Sequence, residues 1–410
     1  MKPIINRWQE QALRSALKTR RVVVLSGARQ VGKTTLAREI AGNIAAYRTL
    51  DDAKMLQIAK SDPNAFVRTD KPLTIIDEIQ RAPELLSAIK MVVDENTRYG
   101  QFLITGSANI QTLPTVSESL AGRVQHIELF PMTQGEILAK QPSFISRAFE
   151  LKFSHTEGEL LRKDLLKIAL RGGFPETINL PDDDREKWHI SYANALITRD
   201  LRDFANIRRH DILLKLLEIL ASWSSKFIDL SSLASNFAIS ANTFRGYINF
   251  LQMMYIVNTL PAWTWTDYAR ISKRDKFFIA DSGLMASLLH WNVNSIEMDS
   301  DRVGKLIETM VFNELYAQIA AHNPMIRLYH YRDHDKHEID FIAENANGDL
   351  LGIEVKAGTN VSKDDLKHLE WFREKISNDR TFNGIVLYNG VLSYKIAEGL
   401  FAVPIQLLWH

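Results

Sequence analysis

A glycine-rich segment near the N-terminus, GARQVGKTT at positions 27–35, follows a run of β-branched residues and opens a helical pattern. In this context Gly27 and Gly32 let the backbone wrap so that its N–H groups point at phosphates, and the helix adds its positive N-terminal end. We expect Lys33 to reach the β- and γ-phosphates and the Thr34 hydroxyl to ligate Mg²⁺. The segment therefore predicts a binding site for ATP with Mg²⁺. Its residues are Gly27, Ala28, Arg29, Gln30, Val31, Gly32, Lys33, Thr34 and Thr35.

Two further apolar runs end in polar residues that suit the same site. LTIIDEIQ ends in Asp77, which at the carboxyl edge of a sheet can hold Mg²⁺ through water, and Glu78, which is placed to polarise the attacking water. FLITGSAN offers Ser107, or else Asn109, as a sensor of the γ-phosphate. Up to about residue 140 such runs alternate with helical patterns, which predicts an α/β fold with a parallel sheet and crossover helices.

These motifs resemble those of AAA-type ATPases, specifically the prokaryotic branch related to archaeal and signal-transduction ATPases, over roughly residues 15–210. ESLAGRV puts Arg123 just before a strand, where such families often carry an arginine finger; the alternative is an ordinary surface arginine. RGGFPE resembles the Gly-x-Pro motif of their helical lid, which implies that Pro175 packs near adenine and that Arg171 acts as a second sensor. An arginine finger normally serves the neighbouring subunit, so the resemblance also implies a homo-oligomer such as a ring.

Near the C-terminus, EIDFIAENANGDLLGIEVKAG at positions 338–358 has the pattern of two strands around a polar turn. If the turn is centred on Asn347, Asp340 lies opposite Glu354, and Lys356 shares their face because side chains alternate along a strand. Carboxylates that oppose each other in a hairpin repel. Either the register differs and the pair belongs to a solvated face, or a positive group lies between the two acids.

An Asp followed by a Glu-x-Lys resembles the core of restriction-endonuclease-like nucleases. The resemblance implies that Asp340 and Glu354 bind Mg²⁺, that Lys356 aligns or activates the attacking water, and that Glu308, in the apolar stretch GKLIETMVFNEL, joins them. RDKFFIADSGL, VGKLIETMVFNEL and YHYRDHDKHEIDFIAE also resemble a C-terminal domain of uncharacterised function with this fold, found fused to AAA-type ATPases. The resemblance leaves cleavage open, because such domains also bind DNA without cutting it.

Between these two parts, residues 229–260 resemble a winged helix-turn-helix, with Ser240 able to cap the second helix. A helix that reads DNA sequence offers Arg, Asn or Lys side chains to base edges, and the only basic residue on this helix is Arg245, beside Asn242 and Asn249. A packing module without sequence recognition is therefore an equal alternative. His334 and His337, in RDHDKHE, are interpreted as exposed polar residues, since on a strand they point to opposite faces.

Composition limits the class of protein. The chain has no cysteine, which excludes disulfides and thiolate metal sites, and its 50 Lys and Arg against 49 Asp and Glu give no overall basic field. The N-terminus lacks an apolar signal core, and no run approaches the roughly 18 apolar residues of a membrane span. We expect a soluble, cytoplasmic protein that does not bind membranes.

The sequence thus predicts an α/β protein whose P-loop parallel-sheet ATPase core is followed by a helical lid, a winged-helix middle segment and an α/β restriction-endonuclease-like domain. The predicted boundaries are 1–140, 141–210, 211–285 and 286–410. The leading hypothesis is an ATPase coupled to a Mg²⁺-dependent nuclease-like domain that acts on DNA by structure rather than by sequence. The alternatives are a nucleotide-dependent signalling switch and a DNA-binding scaffold, in both of which the C-terminal domain binds partners without cleaving.

Overall fold

The computed structural model describes residues 5–107, 120, 122–154, 160–204, 210–228, 230–237, 239–266, 273–377 and 380–409. The chain divides into two compact units. The first unit comprises Met1–Met132, Leu251–Ile256 and Ala320–His322, and the second comprises Thr133–Phe250, Val257–Ile319 and Asn323–His410.

The first unit is built on a five-stranded sheet in which all neighbouring strands are parallel. Its strands are β1 (Val22–Ser26), β2 (Ala45–Thr49), β3 (Leu73–Asp77), β4 (Phe102–Gly106) and β5 (Val124–Glu128). They lie in the order β2-β3-β4-β1-β5. The helices are α1 (Gln9–Thr19), α2 (Lys33–Ala41), α3 (Ala53–Ser61), α4 (Pro63–Val67) and α5 (Leu85–Glu95).

The burial of the strands explains this arrangement. Every residue of β1, β3 and β4 is buried, as expected for parallel strands covered by crossover helices on both faces. Four of the strands fall in the apolar runs from which the sheet was predicted, so the predicted α/β core with a parallel sheet is confirmed. The edge strand β2, AAYRT, is only half-buried and has no such run.

The second unit contains a six-stranded mixed sheet in the order β13-β14-β12-β11-β10-β9. These strands are β9 (Arg327–Arg332), β10 (Glu338–Glu344), β11 (Leu350–Lys356), β12 (Phe382–Tyr388), β13 (Tyr394–Ala397) and β14 (Leu400–Pro404). Strands β9, β10 and β11 pair antiparallel, whereas β11, β12 and β14 run parallel. The pairing of β10 with β9 shifts register between Ile339 and Ile342, which marks a β-bulge at Asp340 and Phe341.

A small antiparallel sheet of the same unit follows the order β6-β8-β7 and consists of β6 (Lys226–Phe227), β7 (Val257–Leu260) and β8 (Lys276–Ile279). Its neighbours in the chain are the helices α10 (His210–Ser222), α11 (Leu230–Asn236) and α12 (Ala241–Met253). Ser240 caps α12, because its hydroxyl accepts a hydrogen bond from the Thr243 N–H at 3.1 Å. The winged-helix interpretation of this segment stays a prediction.

The remaining helices of the second unit are α6 (Gln134–Ile137), α7 (Phe144–Phe149), α8 (Arg162–Arg171), α9 (Asp182–Phe204), α13 (Ser282–Leu288), α14 (Val293–Ile296), α15 (Ser300–His322) and α16 (Lys367–Lys375). Of these, α7, α8, α13, α14 and α15 share a large apolar core with the six-stranded sheet, and α16 packs on the sheet in a second apolar cluster. Helix α15 buries most of its circumference, including Glu308 and Glu314. None of the helices in the described part of the chain combines the length and the apolarity needed to cross a membrane.

Candidate functional site

The phosphate loop lies at the carboxyl end of β1 and leads into α2. Gly27 and Gly32 have φ angles of 143° and 100°, which suit glycine, and a Cβ on Gly27 would collide with the carbonyl oxygen of Leu129. The Lys33 ammonium donates to the carbonyl oxygens of Gly27 and Ala28 at 3.0 and 2.8 Å. The backbone geometry that a phosphate cradle requires is therefore built into the loop.

The surroundings of Lys33 make its ammonium group easier to deprotonate. The residue is buried, and burial lowers the pKa of Lys33 to about 8 even though the nearby carboxylates of Glu78 and Asp77 act to raise it. An anion placed beside this ammonium would favour its charged form.

Arg7 supports the loop from a position that no sequence pattern singles out. Its guanidinium donates to the carbonyl oxygens of Val31 and Phe130, both at 2.6 Å, and the residue is buried. The N-terminal segment thus fastens the phosphate loop to the residues that follow β5.

The carboxylate of Asp77, at the carboxyl end of β3, accepts hydrogen bonds from three hydroxyl groups. Thr34 donates to its Oδ2 at 3.0 Å and Tyr47 donates to the same oxygen at 2.5 Å, while the hydroxyl of Thr105 binds Oδ1. The predicted pair of Mg²⁺ ligands, Thr34 and Asp77, is therefore assembled on two neighbouring elements. Tyr47 was not predicted, because the half-buried strand β2 carries no pattern that points to it.

Glu78 follows Asp77 in the left-handed conformation, with φ of 61°. Its Oε2 accepts a hydrogen bond from the Ser107 hydroxyl at 3.1 Å and another from the side-chain amide of Gln80. The same amide also donates to Ser107 Oγ at 2.9 Å. The predicted base and the predicted sensor are thus in contact and share Gln80 as a partner, whereas Asn109, the alternative sensor, lies outside the described residues.

Arg123 lies directly before β5, at the amino end of the parallel sheet. Its carbonyl accepts a hydrogen bond from Val22 at the start of β1, and its Nε donates to Asp94 Oδ1 at 2.6 Å. The phosphate loop follows the other end of β1, one strand length or roughly 15 Å away. The role of Arg123 as an arginine finger stays a prediction.

The residues of the RGGFPE segment lie in the second unit. Arg171 ends α8 and donates to the side chain of Gln134, and Gly173 N–H donates to the buried Asp281 at 2.6 Å. Burial lowers the pKa of Arg171 and raises that of Asp281 to about 6. The proposed contacts of Pro175 with adenine and of Arg171 with phosphate stay predictions.

The hairpin of β10 and β11 has the register that a turn centred on Asn347 predicts, because Phe341 pairs with Ile353 and Glu344 with Leu350. Continuing this register by one residue brings Asp340 opposite Glu354. Asp340 Oδ2 accepts a hydrogen bond from the Val355 N–H at 2.9 Å, and both acids are largely buried, with side-chain exposures of 14% and 10%. The pair is therefore not a solvated face.

A buried lysine that was not predicted supplies the positive group. Lys276, the first residue of β8, is 1% exposed, and its ammonium lies 3.0 Å from Glu308 Oε1, 2.9 Å from Glu338 Oε1 and 3.4 Å from Asp340 Oδ1. Only its position at the head of the apolar run KFFI sets it apart in the sequence. We call Glu308, Glu338, Asp340 and Glu354 the acid cluster.

The acids of this cluster differ in their tendency to ionise. Burial and the charge of Asp340 raise the pKa of Glu308 to about 7 and that of Glu354 to about 8, although Lys276 and Lys356 act against this. Burial also acts to raise the pKa of Glu338, but Lys276 outweighs it and holds the pKa below its usual range. Glu308 and Glu354 therefore hold a proton more readily than Glu338 does.

The acid cluster offers a free ligand atom for a cation. Glu354 Oε1 accepts from the Lys356 ammonium at 2.9 Å, whereas Oε2 is buried without a hydrogen-bond partner. Carboxylate oxygens are the ligands that Mg²⁺ prefers, so the residues fit the predicted ion. The three predicted ligands have the donor chemistry of an ion site but do not converge on one point here: Lys276 bridges Glu308 and Asp340, and among the described residues the acids and histidines close enough together to share one ion are Asp333, Asp335 and His337.

Basic side chains surround the acid cluster at the surface. Arg332 and Lys356 are 41% and 35% exposed, and Arg332 lies 3.6 Å from Glu338 Oε2. The exposed Lys226 lies close enough to lower the pKa of Glu308 and Glu338. We call these three residues the rim cations. They place positive charge at the surface next to the acid cluster.

His337 does not contribute to the acid cluster. Its Nδ1 lies 2.7 Å from Asp333 Oδ2, and its ring stacks on Trp371 with the ring centroids 3.9 Å apart. These contacts account for its position without a metal ion.

Comparisons with known proteins give matches to three segments of the chain. Residues 19–138 match a family described as an AAA domain, and residues 162–295 and 303–408 match two domains of unknown function, DUF8612 and DUF4143. The chain is 27% identical over 398 residues to two uncharacterized proteins, Mb2031c of Mycobacterium bovis and Rv2008c of Mycobacterium tuberculosis, covering 96% of this chain and 82% of each relative.

Among solved structures, the chain is similar to the RuvB Holliday junction branch migration motor of Thermotoga maritima, with 20% identity, coverage of 63% of this chain and 91% of that chain, and a TM-score of 0.28. A TM-score this low establishes no shared architecture. The match of residues 19–138 to an AAA domain and the phosphate loop both support an AAA-type ATPase domain in this part of the chain.

Proposed function

We propose that this chain is an ATP-hydrolysing DNA-processing protein in which the AAA-type domain is coupled to a Mg²⁺-dependent nuclease-like site. The convergence of four acids from α15, β10 and β11 beneath the rim cations is the observation that carries the proposal. A buried acidic floor is suited to a divalent ion, and exposed basic side chains are suited to a polyanion.

In the nucleotide site, Thr34 and Asp77 would hold Mg²⁺, which when bound neutralises charge on the phosphates. Lys33 exchanges its two carbonyl partners for phosphate oxygens. Glu78 orients the attacking water. Ser107 contacts the γ-phosphate and, through its hydrogen bond to Glu78, links the presence of that phosphate to the position of Glu78.

In the acid cluster, Asp340, Glu354 and Glu308 would hold Mg²⁺, which when bound stabilises the charge that develops on a phosphodiester and favours ionisation of water. Lys356, bonded to Glu354, aligns the attacking water. The rim cations bind the neighbouring phosphates. We assign DNA as a partner recognised by its structure, because α12 carries a single basic residue, Arg245, for reading bases.

DNA cleavage by the purified full-length chain tests the proposal. Linear, forked and four-way-junction DNA would be incubated with Mg²⁺, with and without ATP. We expect cleavage by the wild type, a loss of at least about 100-fold in Asp340→Asn, since metal-ligand and charge-stabilising groups contribute that much, and dependence on ATP that disappears in Lys33→Ala. Asp364→Asn, which removes an exposed acid outside the cluster, is the matched control and should cut normally. ATP hydrolysis without cleavage of any of the three DNAs would contradict the nuclease half of the proposal.

One observation favours a second function. The ammonium of Lys276 relieves the repulsion among Glu308, Glu338 and Asp340 without a metal ion. The cluster would then be an ionic element of the fold, and the chain would act as a nucleotide-dependent switch or a DNA-binding scaffold. In that case Asp340→Asn would destabilise the second unit, DNA would be bound in a salt-sensitive manner or not at all, and none would be cut.

A further inference from the structure

Lys276 is an unusual residue to find at the bottom of a candidate metal site. A buried ammonium is costly unless every one of its three N–H groups finds an acceptor. Here three carboxylates, from Glu308, Glu338 and Asp340, lie within 3.4 Å of Nζ, so each N–H has one acidic partner. The lysine is therefore fully satisfied where it stands.

The acids that bind Lys276 are also those that a divalent ion requires. Lys276 bridges Glu308 and Asp340, two of the three predicted ligands, while the third ligand, Glu354, keeps its buried Oε2 without a partner. Its contact with Glu338 involves an acid that was not predicted as a ligand. Within the acid cluster, Lys276 therefore neutralises the oxygens of Glu308 and Asp340, whereas Glu354 Oε2 has no hydrogen-bond partner.

Lys276 comes from a different element than the acids do. It opens β8 of the small three-stranded sheet, whereas the acids are carried by α15, β10 and β11. Its side chain also lies over the ring of Phe227, with Nζ 5.6 Å from the centroid, on the paired strand β6. A cation that enters the acid cluster must therefore compete with a charge that the middle segment supplies.

We propose that Lys276 is the resident cation of the acid cluster, and that a divalent ion binds there only when the ammonium gives up Glu308 and Asp340 and keeps Glu338. This inference rests on the metal site of the proposed function. It makes Lys276 a positioning residue that sets the affinity of the chain for metal, and it makes the small sheet the element through which that affinity is controlled.

Binding of Mn²⁺, which accepts the same oxygen ligands as Mg²⁺, tests this inference without DNA or ATP. Free Mn²⁺ would be measured by electron paramagnetic resonance with the full-length wild type, Lys276→Met and Lys305→Met. Removing a unit charge next to the ligands should tighten binding by about tenfold or more in Lys276→Met. Lys305→Met, which removes a lysine paired to Asp301 on α15, should bind like the wild type.

Thermal unfolding gives an independent readout. Without Mn²⁺, Lys276→Met should melt below the wild type, because Glu308, Glu338 and Asp340 lose their partner, and saturating Mn²⁺ should restore most of the difference. The Lys276→Met, Asp340→Asn double variant should lose the added affinity. If Lys276→Met does not fold, Lys276→Gln, whose neutral amide still donates hydrogen bonds, takes its place with the same expectation.

Equal or weaker Mn²⁺ binding in the Lys276 variants would overturn the inference, as would a melting temperature that Mn²⁺ does not raise. These outcomes are separate from the fate of the proposed function. A wild type that cuts DNA while Lys276→Met binds no tighter would leave the nuclease standing and remove the role of Lys276. If Lys276→Met binds Mn²⁺ more tightly but no variant cleaves DNA, the role of Lys276 stands and the proposed nuclease activity is removed.

Discussion

Lys33 is the residue whose protonation most directly links pH to the nucleotide site. Its ammonium is held by two backbone carbonyls in a buried position, and burial lowers the pKa of Lys33 to about 8. Phosphate oxygens bind the charged form, so the nucleotide-free chain must carry that proton in order to bind ATP well. Raising the pH through 8 removes it from the free chain and thereby weakens binding.

We therefore predict that the dissociation constant for ATP rises about tenfold between pH 7 and pH 9, because only the protonated fraction of the free chain is competent to bind. Titration of the chain with a fluorescent ATP analogue at pH 7, 8 and 9 measures it. In Lys33→Arg the guanidinium stays charged throughout, so whatever affinity remains should not vary with pH. A flat profile in the wild type would show that the titration of Lys33 does not govern binding.

At the scale of elements, the start of α13 packs against the end of α8 with no space for a side chain. A Cβ added to Gly283 would lie 2.5 Å from the carbonyl oxygen of Arg171 and 2.8 Å from the Cα of Gly172. Both of these are backbone atoms, which cannot move away by a side-chain rotation. This contact joins the segments RGGFPE and ADSGL, and it fixes Asp281 beside the backbone of Gly173.

Gly283→Ala should therefore lower the free energy of unfolding by about 2–4 kcal/mol, since overpacking against backbone is relieved only by moving a helix. Gly304→Ala is the matched control, because nothing lies within 4 Å of the added Cβ and alanine favours helix α15 by up to about 1 kcal/mol. Urea unfolding of both variants measures the difference. A Gly283→Ala chain as stable as the wild type would mean that α8 and α13 are free to separate.

The elements also show how far sequence patterns reach. The parallel core and the hairpin register were predictable because both follow from local patterns: buried apolar runs in one case, and a symmetric turn about Asn347 in the other. Lys276 was not predictable, because it meets Asp340 across 64 residues of chain and is placed by the pairing of β8. Tyr47 and Arg7 could not be predicted from the sequence for the same reason, because tertiary packing determines their hydrogen-bond partners.

At the scale of the whole molecule, the position of Arg123 bears on assembly. It precedes β5 at the amino end of the sheet, whereas Lys33 follows the carboxyl end of the adjacent β1, so Arg123 lies at the opposite edge of the domain from its own phosphate loop. A head-to-tail assembly joins two different surfaces of identical subunits, so an edge opposite the phosphate loop is available to contact the loop of a neighbour. The ion pair with Asp94 holds Arg123 at this edge.

We predict that Arg123→Ala and Lys33→Ala each abolish ATP hydrolysis and that an equal mixture of the two regains roughly a quarter of the wild-type rate. Only interfaces that combine an intact Lys33 with a neighbour's intact Arg123 are active, and random mixing in a head-to-tail assembly makes about one interface in four of this kind. Phosphate release from subunits mixed and allowed to exchange measures it. Asp94→Asn removes the ion pair of Arg123 without removing the arginine and should keep most activity. A mixture no more active than its components would show that Arg123 does not act on a neighbouring site, and an active Arg123→Ala chain would show that its pairing with Asp94 serves the fold alone.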